Sequence, residues 1–132
     1  MPVLDTLVLF GALDPEDTLH RESLRYLRML ERPEYYLGGF AILEYDIVLK
    51  SRGFSPRKRM AYHAVLANDF PAVTTKTRRL SPEIMYLAAK LEDEAGLDYF
   101  DAGIAAEAKV FDGLVVSKDG IFDRLAGVTR IW

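Results

Sequence analysis

The triplet Leu114-Val115-Val116, set between Gly113 and Ser117, constrains the fold more than any other segment. It is apolar at every position and lacks the in–out alternation of a strand with one wet face. It therefore reads as a strand buried on both sides, which requires a parallel sheet covered by helices. Other strand candidates are Val3-Leu4, Ala72-Val73-Thr74-Thr75 after Pro71, Val128 to Trp132, and, more weakly, Tyr35-Tyr36-Leu37. The run Leu7 to Leu13 fits either a prolonged first strand or a helix.

Helix starts stand between these strands. Asp14-Pro15-Glu16-Asp17 has a capping residue, a proline at the first helical position and acids in the first turn. Ser55-Pro56 and Ser81-Pro82-Glu83 repeat the device. Ile84, Leu87, Ala88, Leu91 and Ala95 then form an apolar stripe at helical spacing, ended by Gly96. Asp98 caps a further helix, predicted to run to about Lys109. Strands alternating with helices predict an α/β fold with helices on both faces of the sheet. At 132 residues, with no repeat or linker, the whole of 1–132 is expected to form one domain.

The chain has no cysteine, which excludes disulfides, thiolate metal sites and cysteine nucleophiles. With only His20 and His63, an imidazole-based zinc site is not expected, and any metal must rely on oxygen ligands. No segment is long and apolar enough to span a bilayer, and Met-Pro-Val-Leu-Asp does not begin a signal peptide, so a cytoplasmic protein is expected. Charge is unevenly spread. Acids outnumber bases up to Asp46 and again after Glu92. Between Ile47 and Leu91, Asp69 and Glu83 are the only acids, against bases that include Arg57-Lys58-Arg59 and Lys76-Thr77-Arg78-Arg79. A solvated surface would show the same pattern.

Four carboxylates occupy positions that carboxylates usually avoid. Asp5 interrupts the apolar run Val3-Leu4-Asp5-Thr6-Leu7-Val8, at the strand end where open α/β sheets bind ligands. Glu44 has Phe40, Ala41, Ile47 and Val48 as its helical neighbours, and Asp101 has Leu97, Ile104, Ala105 and Ala108. Asp119 follows the strand Leu114-Val115-Val116. Each acid has an ordinary use as well. Asp5 can bond backbone amides in a turn, Asp101 can sit in a first helical turn, Asp119-Gly120 can be a turn, and Glu44 can pair with an arginine. No arginine is expected on these faces. Several unpaired buried carboxylates near one another are costly, and a divalent cation such as Mg²⁺ or Mn²⁺ removes the cost.

These residues resemble the PIN-domain family, particularly its VapC-like prokaryotic members. The likeness rests on Val3-Leu4-Asp5-Thr6, Leu43-Glu44, Phe100-Asp101-Ala102-Gly103-Ile104-Ala105-Ala106 and Val115-Val116-Ser117-Lys118-Asp119, in that order across nearly the whole chain. The resemblance implies a three-layer α/β/α, Rossmann-like parallel sheet of four or five strands. It implies Mg²⁺- or Mn²⁺-dependent cleavage of RNA, leaving a 5′-phosphate and a 3′-hydroxyl. Asp5, Glu44, Asp101 and Asp119 are then the catalytic acids. Asp5, Asp101 and Asp119 hold the metal, with Thr6 and Asp123 as auxiliaries. Lys118, Lys76, Arg78 and Arg79 are expected to hold flanking phosphates of single-stranded RNA. Family members are commonly toxins neutralised by a small antitoxin protein, and often homodimers. The chain departs from the family at Leu7, where a polar residue often stands, and at Gly38-Gly39, where a serine or threonine often caps the glutamate helix.

The rival expectation is a catalytically weak PIN-like module that binds RNA or protein, with Leu7 in its favour. Other acid-bearing α/β folds fit worse. Asp5-Thr6-Leu7 lacks the Asp-x-Asp of a dehalogenase-type phosphatase, and the acidic pair of a phosphorylation receiver is missing. There is no Gly-Lys-Ser phosphate loop.

Overall fold

A computed structural model describes all residues, 1–132. Its elements are β1 (Val3–Leu4), α1 (Thr6–Leu13), α2 (His20–Arg28), β2 (Tyr36–Leu37), α3 (Gly39–Ser51), α4 (Pro56–Asp69), α5 (Pro71–Lys76), α6 (Pro82–Ala95), α7 (Tyr99–Lys109), β3 (Leu114–Val116) and β4 (Thr129–Ile131). Short 3₁₀ turns at Met29–Glu31 and Gly120–Arg124 complete the order. The four strands form one parallel sheet in the order β2-β1-β3-β4. The fold is the expected three-layer α/β/α arrangement.

Alternation along the strands divides the core into two layers. Val3 and Val115 face one side, against α6 and α7, through Ile84, Ala88, Leu91, Ala102 and Ile104. Leu4 and Val116 face the other, against α1, α2 and α3, through Val8, Leu9, Leu27, Ala41 and Tyr45. Because β1 and β3 are buried on both faces, polar groups can enter only at the strand ends.

Local chemistry sets most helix boundaries as expected. Ser55 Oγ accepts a hydrogen bond from Lys58 N, and Ser81 Oγ accepts one from Ile84 N. Gly96 ends α6 in the left-handed conformation, at φ 66°. Two expectations change. Asp14-Pro15-Glu16-Asp17 forms turns, in which Asp14 accepts from Glu16 N and Asp17 from Leu19 N, and α2 begins only at His20. Ala72-Val73-Thr74-Thr75 is helical within α5, not a strand. There Pro71 sets the first turn, and the Thr75 and Thr77 hydroxyls bond back to the Ala72 and Val73 carbonyls. A single parallel bridge between Leu37 and Thr77 is all that remains of a fifth strand. The ambiguous run Leu7 to Leu13 is helix, within α1. No helix is long and apolar enough to cross a membrane.

Candidate active site

The C-terminal ends of β1 and β3 lie side by side, joined by a hydrogen bond from Asp5 N to the Val116 carbonyl. Asp5 is therefore the first residue beyond a central strand and also the N-cap of α1, where its Oδ1 accepts from Thr6 N at 2.6 Å. It is only 4% exposed. The hydroxyl of Ser117, immediately after β3, donates to Asp5 Oδ2 at 2.7 Å and accepts from Asp119 N at 2.9 Å. One buried serine thus fixes both strand-end acids. In Ser117-x-Asp119 the sequence singles out the acid, and the structure adds the serine as a positioning group.

Asp5, Thr6, Glu44, Asp98, Asp101 and Asp119 line one open pocket of about 350 Å³, with Leu7, Phe10, Val48 and Arg52 completing its wall. Glu44 enters from the middle of α3. It is half-buried, because Phe40 and Ala41 are covered while Ile47 is exposed. Asp101 enters from the first turn of α7, its backbone N–H bonded to the Asp98 carboxylate at 2.8 Å. Asp98 is expected first as a helix cap. It does cap α7, but the same side chain adds a further negative charge to the pocket.

The electrostatics follow from this crowding. Desolvation is the main influence on Asp5 and raises its pKa to about 6. The Ser117 and Thr6 bonds oppose that rise, and the charges of Glu44 and Asp119 add to it. Asp101 is pushed well above the usual carboxylate range by burial, then by Asp98, Asp119 and Asp5. Glu44 is raised by desolvation, with Asp98 adding to the effect and the nearby Thr6 hydroxyl opposing it. Thr6 Oγ1 is nonetheless buried without a partner at hydrogen-bonding distance.

An arginine does reach this pocket, contrary to the expectation. Arg52, the C-cap of α3, lies with its guanidinium carbon 5.0 Å from the centre of the Phe10 ring. It forms no ion pair with any pocket acid, so the carboxylates keep no cationic partner.

Other expected site residues lie elsewhere. Asp123 is held by a two-pronged ion pair with Arg130, at 3.0 and 2.8 Å, outside the pocket wall. Lys76 Nζ donates to the Arg32 and Pro33 carbonyls, which precede β2 at the opposite edge of the sheet. Arg78 packs over Tyr36 and Phe111 near that same edge. Neither lies in the wall of the acid pocket. Arg79 is exposed and outside the pocket wall. Lys118 adjoins Asp119, with its ammonium 5.5 Å from the centre of the Trp132 ring.

A family model for the PIN domain matches residues 3–128. The chain belongs to the PIN-domain family. No curated protein matches this PIN domain in sequence. Among solved structures it is similar to FitAcB from Neisseria gonorrhoeae, with a TM-score of 0.66 and 22% sequence identity. The match covers 91% of this chain and 88% of the other. That likeness bears on the fold, and members of the family are generally nucleases.

No three of the acids stand in the mutual geometry of a formed ion site. The donor set nevertheless suits a hard divalent cation. Every charged donor is a carboxylate, Asp5 is desolvated, and Thr6 in the pocket wall keeps a buried hydroxyl without a hydrogen-bond partner.

Proposed function

We propose that this PIN domain is a Mg²⁺- or Mn²⁺-dependent endoribonuclease acting in the cytoplasm on single-stranded RNA. The observation that carries the reading is the pocket itself, where Asp5, Glu44, Asp101 and Asp119 meet without a cationic partner. Asp5, Asp101 and Asp119 would hold the metal. When bound, the ion supplies Lewis acidity, lowering the pKa of a coordinated water and stabilising charge on the phosphate.

The side chains supply position and proton transfer. Ser117 holds Asp5 and Asp119 in register, and Asp98 holds the first turn of α7 and with it Asp101. Glu44, with its pKa raised by desolvation, is the proton acceptor for the attacking water. Lys118 holds a flanking phosphate. The deciding experiment incubates purified protein with Mn²⁺ and single-stranded RNA beside the Asp5→Asn variant. Loss of cleavage in the variant is expected; equal cleavage by both refutes the assignment.

A small antitoxin and a homodimeric state belong to the same reading, supported by the resemblance to VapC-like proteins. Co-purification with the product of a neighbouring reading frame and the mass in solution test them. A second reading, a PIN-like binding module of weak activity, draws on Leu7 in the pocket wall where a polar contact to a ligand would otherwise be available. A melting temperature indifferent to Mn²⁺ would favour it.

A further inference from the structure

The largest cavity in the molecule lies beside the acid pocket. A recess of about 510 Å³ opens where the C-terminal ends of α1 and α3 meet the middle of α4, and Phe10 and Arg52 belong to the walls of both. Four rings line it. Phe10 and Tyr45 have centroids 5.0 Å apart, and Phe54 and Tyr62 have centroids 5.2 Å apart with a 48° tilt. Asp14 and Asp17 stand on its rim. Each uses one carboxylate oxygen in a local turn, bonded to Glu16 N and Leu19 N respectively, and keeps the other free. Arg52, on the boundary between recess and acid pocket, is ion-paired with nothing.

We infer that this recess is a nucleotide subsite for the RNA strand, in which Arg52 holds the phosphate adjoining the cleaved one and the rings receive that nucleotide's base. The inference rests on the nuclease reading of the neighbouring pocket. A strand entering an acid-lined pocket needs a cation at the point of entry, and a guanidinium suits a phosphate because it presents paired donors to paired oxygens. Arg52 is the one cation in the wall of both cavities. Aromatic walls receive any base by stacking, and the recess has the size of small-molecule sites. The rim adds selectivity. The free oxygens of Asp14 and Asp17 are acceptors, which an exocyclic amino group satisfies. Adenine, cytosine and guanine carry one; uracil has none and can donate only through its ring N3–H. A docked protein segment would leave Arg52 and both rim carboxylates facing apolar side chains, so the charge pattern favours the nucleotide.

The test is a ¹H–¹⁵N NMR titration of the full, metal-free chain with AMP, CMP and UMP in turn. Saturable shifts are expected at the backbone amides of Arg52, Gly53, Phe54 and Tyr62, with AMP and CMP binding more tightly than UMP. Arg52→Gln and Tyr62→Ala change an exposed cation and a partly exposed ring. Each should weaken binding about tenfold, the scale of one charged hydrogen bond or one stacked base. Each should also raise KM for single-stranded RNA. Shifts absent from these amides with all three nucleotides, or undiminished affinity in Arg52→Gln, would overturn the proposal. So would an apolar helical peptide that moves the same amides when no nucleotide does. Wild-type RNA cleavage without these shifts discards the subsite alone. Shifts without Mn²⁺-dependent cleavage support the subsite and discard the catalytic reading.

Discussion

Helix α7 takes two acids out of water, Asp101 near its start and Glu107 near its end, and their surroundings differ. Glu107 is fully buried, yet both its oxygens are used: they accept from Gly39 N at 2.7 Å and from Phe40 N at 2.9 Å. It caps α3 from a distant helix, supplying the bonds that Gly38 cannot. A Cβ at position 38 would stand 3.2 Å from Glu107 Oε1, so the glycine leaves room for the carboxylate. Asp101 instead faces Asp98, Asp119 and Asp5. Burial raises the pKa of both acids. What separates the two carboxylates is the sign of their neighbours: helix N–H donors for Glu107, like charges for Asp101.

The comparison breaks most readily by mutation. Asp101→Asn should lower Mn²⁺-stimulated RNA cleavage at least ~100-fold, while its melting temperature equals or exceeds the parent's because a repelled charge is gone. Glu107→Ala should do the reverse. It should cost roughly 3 kcal/mol in urea denaturation, by leaving one buried and one part-buried N–H group without acceptors. Glu107→Gln, which keeps an acceptor, should cost less. A large stability loss in Asp101→Asn would erase the distinction.

The pH dependence sharpens it. Burial raises Glu107 from 4.5 to about 7, against the two backbone bonds and Arg78, and raises Asp5 from 3.8 to about 6. Both groups hold protons in the fold at pH values where the unfolded chain has released them. The native state binds more protons over that window, so metal-free stability falls as pH rises from about 4 to about 7 and then levels off. Saturating Mn²⁺ should remove the part due to the acid pocket and leave the part due to Glu107. Chemical denaturation across that range, with Mn²⁺ and with EDTA, measures both.

Near pH 8, Mn²⁺ at a hundredfold excess over its dissociation constant should stabilise the protein by about 2.7 kcal/mol. Thermal denaturation should show this for the parent and not for Asp5→Asn. The smallest effect is expected at Asp123, whose partner is Arg130 on the surface. Asp123→Ala should leave both the Mn²⁺ shift and the cleavage rate unchanged, and loss of either would return Asp123 to the site.

Strand ends and helix faces were legible because they follow local rules. Asp5 breaks an apolar run, Glu44 and Asp101 have apolar neighbours at helical spacing, and all three reach the same pocket with Asp119. The strand expected at Ala72 to Thr75 failed because β-branched residues also suit a short helix when proline sets its first turn and threonines bond back to its carbonyls. The basic residues expected to hold phosphates are a different case, because Lys76, Arg78 and Arg79 do not line the acid pocket. A basic run does not reveal which way its side chains point, and Lys76 and Arg78 turn to carbonyls and rings around β2.

By itself the sequence determined periodicity and its interruptions, hence the α/β class, the main helix caps and the four acids. The tertiary structure decided which groups are neighbours. It put the Ser117 hydroxyl between Asp5 and Asp119, the Glu107 carboxylate at the start of α3, and Arg52 between two cavities. Local pattern follows from bonding within a few residues, whereas these contacts join segments that only sheet pairing and helix packing bring together.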